Sequence, residues 1–323
     1  MSEGSTHAKP YIRVAAGLIL KADGQLLLGQ RPVGKPWEGW WELPGGKIEA
    51  DETVLQALAR ELHEELGIEV THSTRWVTYI HEYPKTIVEL NFCRVTAWEG
   101  EPHGRENQAL AWVDPAQDLT VGPVLPATEP PLRWLRLPDR YLLTQLRSPE
   151  QLASGLAQLE QRLASGVRMV QFRERDWPEG PSADSLYEAF CQVLALCRRY
   201  QACCLVNSRH PIEWAQQADG LHLRSTDVPA AHTWTRQPGL LGVSVHNSGQ
   251  LRAAQSLEPD FMVLGHVLET PSHPDKPPLG WEAFSQLAET AGCPVYAIGG
   301  QSDATFATAQ SHGAHGIAGI RQL

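Results

Sequence analysis

Five charged side chains in one short segment carry the clearest chemistry of this sequence. The segment GKIEADETVLQALARELHEELGI, residues 46–68, contains Glu52, Arg60, Glu61, Glu64 and Glu65. Carboxylate oxygens at this density suit Mg²⁺, which binds a few carboxylates and keeps waters and substrate phosphate oxygens as its other ligands. The spacing therefore predicts a site for a divalent metal ion, Mg²⁺ with Mn²⁺ as an alternative, and for a pyrophosphate group.

An amphipathic helix over residues 53–66 would position these groups. Its predicted buried stripe consists of Leu55, Leu58, Ala59, Leu62 and Leu66, which are spaced by one to four residues. Asp51 is expected to cap the start of this helix and Gly67 its end. Glu61 then lies beside Glu64 and Glu65, at the i+3 and i+4 positions, so that three carboxylates share one edge of the helix.

The loop before the helix supplies the other parts of the predicted site. Arg60 can pair with Glu52 across this loop and so fix the start of the helix. Gly45 and Gly46 lack a Cβ atom, which allows their backbone to approach an ion or a phosphate closely.

The same segment has every fixed residue of the pattern G-x(5)-E-x(7)-R-E-U-x-E-E-x-G-U, where U is a bulky apolar residue. It resembles the Nudix box. A match at nine fixed positions disfavours a merely solvated acidic helix face, which is the ordinary explanation of such a run. Similarity to the MutT type, the 8-oxo-dGTP diphosphatases, extends from about Ala15 to Pro130 through the segments LPGGKIE, WEGEPHGRENQ and LPATEPPL.

This resemblance implies the site residues and the reaction. The metal ligands would be Glu61, Glu64, Glu65 and Glu106, with the Gly45 carbonyl as a further ligand. The same four glutamates and Arg60 would be catalytic, with Glu61 or Glu106 as the base. Arg31 would contact the nucleotide, and Lys47 the phosphates. Water would attack a phosphorus of a nucleoside triphosphate and release a monophosphate and pyrophosphate.

Two departures from the MutT pattern concern the choice of base. Thr128 stands where the pattern has an asparagine, and Leu43 where it has a phenylalanine. One hydroxyl cannot reproduce the donor and acceptor of an amide, so discrimination of 8-oxoguanine is expected to be reduced or built differently. Three tryptophans could stack on a base or pack against the neighbouring strand: Trp37, Trp40 and Trp41.

Composition narrows the class of protein. The chain has 323 residues, 42% of them hydrophobic, and a net charge of −10, which argues against a broad nucleic-acid surface. It contains no run of 18 apolar residues, and MSEGSTHAKP lacks the apolar core of a signal peptide. The six cysteines show no zinc spacing. We expect a cytoplasmic protein with reduced thiols, no membrane contact and no nucleic-acid partner.

Two α/β domains are expected, residues 10–137 and residues 138–323. The first would be a Nudix α/β/α sandwich with a mixed sheet, with strands at residues 12–20, 25–28, 87–98 and 111–113. Six prolines between Asp114 and Pro138 mark its closing helix and a linker. The second contains eight short apolar runs separated by helix-length spacers, which predicts a (β/α)₈ TIM barrel. Its last helix would be missing or shortened, because the chain stops three residues after the last run.

In such a barrel the chemistry lies where the strands end. The side chains expected to face this mouth are Arg173, Arg175, Asn207, Asp227, His246, His266 and Thr270. Three glycines after the last two strands fit the phosphate-binding corner of such barrels: Gly299, Gly300 and Gly319. Arg173 and Arg175 would assist them in holding an anion.

The second half resembles the thiamine phosphate synthase and TenI (thiazole tautomerase) superfamily from Arg140 to Leu323. The matching segments are VQFRER, VNSR, ADGLHLRSTD, GVSVH, FMVLGHVLET and AIGG. GHVLET favours the tautomerase branch, in which a histidine acts as acid and base, and His266 takes this position. The resemblance implies thiazole phosphate or another phosphorylated compound as the ligand of the barrel.

The synthase activity fits this half poorly. Ser208 replaces an aspartate of the family, Arg175 replaces a lysine, and Ser272 and His273 replace a threonine–lysine pair. Asp227 alone would hold Mg²⁺ weakly.

The sequence therefore predicts a hydrolase of phosphoric anhydride bonds, an Mg²⁺-dependent 8-oxo-dGTP diphosphatase that serves nucleotide-pool sanitation and DNA repair, fused to a TenI-like barrel. Two alternatives stay open. The first domain could hydrolyse a thiamine-related or other diphosphate, with the barrel as a thiazole tautomerase. The barrel could instead be a non-catalytic module for ligand binding or dimerisation. The sequence does not determine the oligomeric state.

Overall fold

The computed structural model describes residues 9–271 and 275–320, so Ser272 and His273 lie outside the described residues. The chain divides into two compact units after Leu137. None of the helices in the described ranges has the length and apolar character needed to cross a bilayer.

The first unit has two sheets and two helices. Its strands are β1 (Tyr11–Ile19), β2 (Leu26–Gln30), β3 (Trp41–Glu42), β4 (Gly45–Lys47), β5 (Glu69–Glu82), β6 (Ile87–Glu99) and β7 (Leu110–Val113), and its helices are α1 (Val54–Leu66) and α2 (Glu129–Trp134). One sheet has the order β4-β1-β6-β5 and is mixed, because only β1 and β6 run parallel. The other sheet is antiparallel and has the order β3-β2-β7. The expected α/β fold with a mixed sheet is confirmed.

Strand β5 was not expected from the sequence, although it is 14 residues long. Its pairing with β6 shifts register at three places, between Val70 and His72, between His72 and Ser73, and between Arg75 and Val77. The first and third shifts place an extra residue in β5, whereas the second places one in β6. An extra residue within a strand disturbs the alternation of its side chains between the two faces of the sheet. The apolar alternation that identifies a strand is therefore interrupted within β5.

Helix α1 packs an apolar face against the mixed sheet. The buried residues on this face are Val54, Ala57, Leu58, Leu62 and Leu66. Val54 and Ala57 take the places that were predicted for Leu55 and Ala59, so the buried face is rotated slightly around the helix axis. Thr53 caps the start through a reciprocal capping box with Gln56, and the prediction of Asp51 as the cap was wrong. Gly67 ends the helix in the left-handed conformation, at φ 68°, as predicted.

The second unit is a closed barrel of eight parallel strands in chain order. They are β8 (Arg140–Leu143), β9 (Met169–Phe172), β10 (Cys203–Asn207), β11 (Gly220–Leu223), β12 (Leu240–Val245), β13 (Phe261–Gly265), β14 (Val295–Ile298) and β15 (Gly316–Gly319). Its helices are α3 (Leu152–Ala164), α4 (Asp184–Arg199), α5 (Ser248–Gln255), α6 (Trp281–Glu289) and α7 (Asp303–Ser311). The predicted TIM barrel is confirmed. The connections from β10 to β11 and from β11 to β12 contain short 3₁₀ helices in place of α-helices.

Candidate functional site

Two glycines of β4 lie against the acidic edge of α1. The Gly45 N–H donates to Oε2 of Glu65 over 3.2 Å. Gly45 has φ +143°, and a Cβ atom there would lie 2.1 Å from the Ala15 carbonyl oxygen. A Cβ atom on Gly46 would lie 2.2 Å from the carboxyl carbon of Glu61. Because any larger residue would collide, these positions let the backbone pass directly beside two carboxylates.

Arg60 connects the helix to the loop that precedes it. Its guanidinium donates to both carboxylate oxygens of Glu52, over 2.6 and 2.9 Å, and to the Lys47 carbonyl oxygen over 3.0 Å. It also donates to Glu61 over 3.0 Å and to Glu64 over 3.4 Å. The hydrogen bonds from Arg60 lower the pKa of Glu52 to about 2. Arg60 thus positions the carboxylates, and Glu52 anchors Arg60.

Glu65 lies in an electrostatic environment that a cation would relieve. Burial, together with the nearby carboxylates of Glu42, Glu106 and Glu61 and against the opposing Gly45 N–H, raises the pKa of its carboxyl to about 7. Four carboxylates and two glycines with open backbone are a donor set suited to a hard divalent ion. The predicted residues therefore fit Mg²⁺.

In the ranges that the structure describes, no three His, Cys, Asp or Glu side chains are already gathered as a metal-binding cluster. Cationic side chains hold some of the carboxylates instead. Arg60 binds Glu61 and Glu64, and the Lys35 ammonium lies 2.5 Å from Oε2 of Glu106. The pair of Lys35 and Glu106 is exposed and therefore weak, on the order of 0–1 kcal/mol.

Glu42, one of the three carboxylates that raise the pKa of Glu65, was missed in the sequence. Both of its oxygens accept from the Arg31 guanidinium over 2.7 Å, and Arg31 also donates to the Pro36 carbonyl over 2.6 Å. Arg31, predicted to contact the nucleotide, is thus paired within the protein. The pairs Arg31–Glu42 and Lys35–Glu106 join residues that are far apart in the chain, so periodicity carries no signal for them.

Aromatic side chains line the loop between β2 and β3. Trp37 is 43% exposed, packs edge-on against Trp40 at 4.8 Å between ring centroids, and lies 6.3 Å from Tyr83. Trp41 is buried within β3. Of the two alternatives for this residue, stacking on a base or packing within the protein, its burial agrees with packing. Leu43 and Thr128 are also buried. The Lys47 side chain is exposed, which leaves its ammonium accessible to a phosphate.

The barrel has a cavity of about 1060 Å³ at the carboxyl ends of its strands. Nine of the predicted mouth residues line it: Arg173, Arg175, Asn207, His246, His266, Thr270, Gly299, Gly300 and Gly319. Asp227, also predicted there, is not among the lining residues. Two further arginines that the sequence reading missed, Arg209 and Arg224, line the cavity.

The wall of the cavity contains both mouth histidines. Nε2 of His266 lies 3.1 Å from the Lys276 carbonyl oxygen, and Nδ1 of His246 lies 2.5 Å from the Gly265 carbonyl oxygen. Gly299 and Gly300 have φ of 93° and 67°. A Cβ atom on Gly299 would lie 2.3 Å from Cβ of His266, so glycine at this position lets the loop after β14 approach His266.

Hydrogen-bonded polar side chains form the floor of the cavity. Asn207 donates to Gln171 over 2.8 Å, and Gln171 donates to the Tyr141 hydroxyl over 3.0 Å. Nδ1 of His222 lies 3.1 Å from the same hydroxyl, and its Nε2 lies 2.8 Å from Oγ of Ser244. Burial, with the nearby Arg173 cation as a smaller cause, lowers the pKa of His222 to about 3. The floor is therefore polar and uncharged at neutral pH.

His222 should make the stability of the barrel depend on pH. Unfolded, this histidine takes a proton near pH 6.5, whereas in the fold it stays neutral down to about pH 3. Its contribution is fully present above the unfolded pKa and is lost as pH falls below it, by about 1.4 kcal/mol per pH unit. We expect urea unfolding of the barrel between pH 7 and 5 to show a shallower pH dependence in His222→Gln than in the wild type. Equal slopes would contradict the assignment.

Comparison with known proteins covers both units. Residues 10–135 match the NUDIX domain family, and residues 141–323 match the thiamine monophosphate synthase family. The 8-oxo-dGTP diphosphatase of Haemophilus influenzae is 44% identical over 106 residues, which are 33% of this chain and 78% of that protein. The CTP pyrophosphohydrolase of Escherichia coli is 41% identical over 119 residues, 37% of this chain and 87% of that protein.

The barrel has relatives of its own. The thiamine-phosphate synthase of Thermus thermophilus is 35% identical over 161 residues, which are 50% of this chain and 76% of that protein. The chain therefore belongs to two families, with a NUDIX domain in residues 10–135, a hydrolase of phosphoric anhydride bonds, and a domain of the thiamine monophosphate synthase family in residues 141–323.

Proposed function

We propose that the first domain, residues 10–137, hydrolyses nucleoside triphosphates to a monophosphate and pyrophosphate with Mg²⁺, and that oxidised guanine nucleotides are its main substrates. The observation that carries this proposal is the group of carboxylates around Glu65, against the open backbone of Gly45 and Gly46. The similarity to the 8-oxo-dGTP diphosphatase of H. influenzae supports the choice of substrate. Removal of such nucleotides would make this a sanitation enzyme that protects DNA.

Glu61, Glu64, Glu65 and Glu106 would hold the ion, together with the Gly45 carbonyl. The ion, when bound, offsets charge on the phosphate oxygens and lowers the pKa of water. Arg60 holds Glu61 and Glu64 at the helix edge and so fixes their orientation. The exposed ammonium of Lys47 would contact the phosphates. Lys35 would release Glu106 to the ion, which is possible because their surface pair is weak.

In the reaction, an oxygen of water forms a bond to a phosphorus of the substrate, and the bond from this phosphorus to the pyrophosphate oxygen breaks. Glu61 or Glu106 accepts the proton that water loses. The leaving pyrophosphate carries the electron pair of the broken bond. Besides holding the ion, the protein has two tasks. It orients the substrate, and it places a carboxylate base within reach of the attacked phosphorus.

The nucleobase of the substrate would lie against the aromatic side chains of the loop between β2 and β3. Trp37 is exposed and has Trp40 and Tyr83 beside it, which suits stacking on a purine or a pyrimidine. Arg31 would exchange part of its pairing with Glu42 for the nucleotide. Thr128 offers one hydroxyl where an amide could read two positions of a purine. Because the CTP pyrophosphohydrolase of E. coli is 41% identical, a cytidine triphosphate is the second candidate substrate.

The test is hydrolysis by the full chain with Mg²⁺, measured as pyrophosphate release from 8-oxo-dGTP, dGTP and CTP and as inorganic phosphate release from thiamine diphosphate. A preference for 8-oxo-dGTP would support the sanitising role and would make Thr128 a tolerated departure. A preference for CTP would support the second candidate. Turnover of thiamine diphosphate alone would contradict both and would favour a thiamine-linked hydrolase.

For the barrel we propose a phosphorylated ligand, with Gly299 and Gly300 against a phosphate and His266 as an acid and base on a thiazole phosphate. The cavity lined by these residues supports this placement. An imidazole side chain can both donate and accept a proton near neutral pH.

His266→Ala should leave nucleotide hydrolysis unchanged, because His266 belongs to the barrel and lines its cavity. The measurement is the rate of pyrophosphate release by the variant and by the wild type. A tenfold or larger loss would show that the two domains are coupled in catalysis, contrary to the proposal.

A further inference from the structure

Asp227 follows β11, where the family resemblance places a ligand of Mg²⁺, yet both of its carboxylate oxygens are already used. Oδ2 accepts from Nε of Arg224 over 2.5 Å and from Oγ of Ser208 over 2.6 Å. Oδ1 accepts from Nη2 of Arg224 over 2.9 Å and from Oγ1 of Thr226 over 3.0 Å. The hydrogen bonds and charge of Arg224 help hold the pKa of this carboxyl below its ordinary value, against burial.

A divalent ion does not fit at this place. Ser208 offers a hydroxyl in place of the second carboxylate that the ion would need, and the Arg224 guanidinium already carries the positive charge beside Asp227. An ion would have to displace the Arg224 guanidinium from its bidentate, charge-assisted pair with Asp227. It would then have a single carboxylate ligand. The guanidinium thus occupies the position of the cation.

Four arginines collect on this side of the mouth because they follow three neighbouring strands. Arg173 and Arg175 follow β9, Arg209 follows β10 and Arg224 follows β11, and all four line the cavity. Nη2 of Arg209 donates to the Arg175 carbonyl over 2.9 Å, which ties two of these loops together. Burial and then the charge of Arg175 lower the pKa of Arg173 to about 10.

The carboxylates near these arginines do not neutralise them all. Glu174 turns away from the mouth and accepts from the backbone N–H groups of Leu146 and Arg147, over 2.8 and 3.1 Å. Asp227 offsets Arg224 alone. The charges of Glu174 and of the exposed Asp176 act on Arg173 and offset part of those of Arg175 and Arg209. Glu269 lines the cavity from the loop after β13. The side of the mouth next to β9 and β10 therefore keeps an excess of positive charge.

We propose that Arg173, Arg175, Arg209 and Arg224 bind the diphosphate group of a ligand directly, without a divalent cation. A planar guanidinium group can donate to two phosphate oxygens at once. Four such groups, which follow three strands, have more donors than one phosphate group can accept. The excess charge suits a group with about three negative charges, as a diphosphate ester has at neutral pH. The uncharged remainder of the ligand would lie on the polar floor formed by Gln171, Asn207 and Ser244.

The experiment is calorimetric titration of the full chain with inorganic pyrophosphate in EDTA, with inorganic phosphate as the comparison. We expect binding in EDTA, with pyrophosphate at least tenfold tighter than phosphate. Absence of binding in EDTA together with binding in Mg²⁺ would overturn the metal-free site. Equal affinity for the two anions would overturn the diphosphate assignment.

Variants locate the binding. Arg173→Gln and Arg224→Gln should each weaken pyrophosphate at least tenfold. Arg199→Gln is the matched control, because Arg199 lies in the last turn of α4, at the opposite end of the barrel, and pairs with Glu160. Glu64→Gln should bind pyrophosphate in EDTA as the wild type does, which separates this site from the first domain. Unchanged binding in Arg173→Gln, provided its circular dichroism is native, would contradict the proposal.

Discussion

Glu64→Gln and Glu65→Gln should each lower nucleotide hydrolysis a hundredfold or more and leave the fold intact. Glutamine keeps the shape of glutamate and loses the charge, so the effect falls on the ion and not on packing. Glu64 is exposed at the helix edge, where it accepts a long hydrogen bond from Arg60 over 3.4 Å. Losing a ligand that activates the metal site is expected to cost at least about two orders of magnitude in turnover.

Glu65→Gln adds a signature in stability that distinguishes a metal ligand from a structural residue. The folded pKa of Glu65, about 7, lies above the ordinary glutamate value of 4.5, so its ionisation costs stability as pH rises from about 4.5 to 7, and this cost is complete above pH 7. Without metal at pH 8, the variant should therefore melt at or above the temperature of the wild type. Added Mg²⁺ should raise the melting temperature of the wild type more than that of the variant.

The control is Glu69→Gln, a change of the same kind at an exposed glutamate that pairs with His63 outside the carboxylate group. It should hydrolyse nucleotides at the wild-type rate. Wild-type turnover in Glu64→Gln or Glu65→Gln would sink the metal assignment. A fall in melting temperature without metal would show that Glu65 is structural.

The parts of this molecule that the sequence predicts well are local. The period of α1, the glycine at its end and the spacing of Glu61, Glu64 and Glu65 all depend on residues within one or two helical turns. Eight apolar runs separated by helix-length spacers were enough to predict the barrel, because consecutive parallel strands must be joined by a long crossover connection. Each of these inferences uses residues that are close in the chain.

What the sequence could not provide is the identity of distant neighbours. Glu42 lies 23 positions before Glu65, and Lys35 lies 71 positions before Glu106, yet these side chains set the charge around the site. Periodicity shows which face of an element is buried but not which loop covers it. The pair of Arg224 and Asp227 was within reach, because the two residues are three apart. It was missed because a motif that assigns Asp227 to a metal does not predict the cation that replaces that metal.

The second large effect is expected for Gly46→Ala, which adds only one methyl group. Its Cβ atom would lie 2.2 Å from the carboxyl carbon and 2.3 Å from both oxygens of Glu61, far inside van der Waals contact. The Glu61 carboxylate must therefore move, and a shift of this size is expected to disturb its 3.0 Å hydrogen bond with Arg60. We expect hydrolysis to fall on the order of a hundredfold, because a displacement of about 1 Å in a catalytic group can cost this much.

Gly29→Ala is the matched control for Gly46→Ala. Gly29 lies in β2, its φ is not positive, and a Cβ atom there would meet only Cδ2 of Leu110, at 3.7 Å, which is ordinary contact. This variant should keep the wild-type rate and Mg²⁺ dependence, whereas Gly46→Ala should need a higher Mg²⁺ concentration for half-maximal activity. Unchanged kinetics in Gly46→Ala would mean that Glu61 can move without loss, and that the close approach of β4 to α1 does not order the carboxylates for the ion.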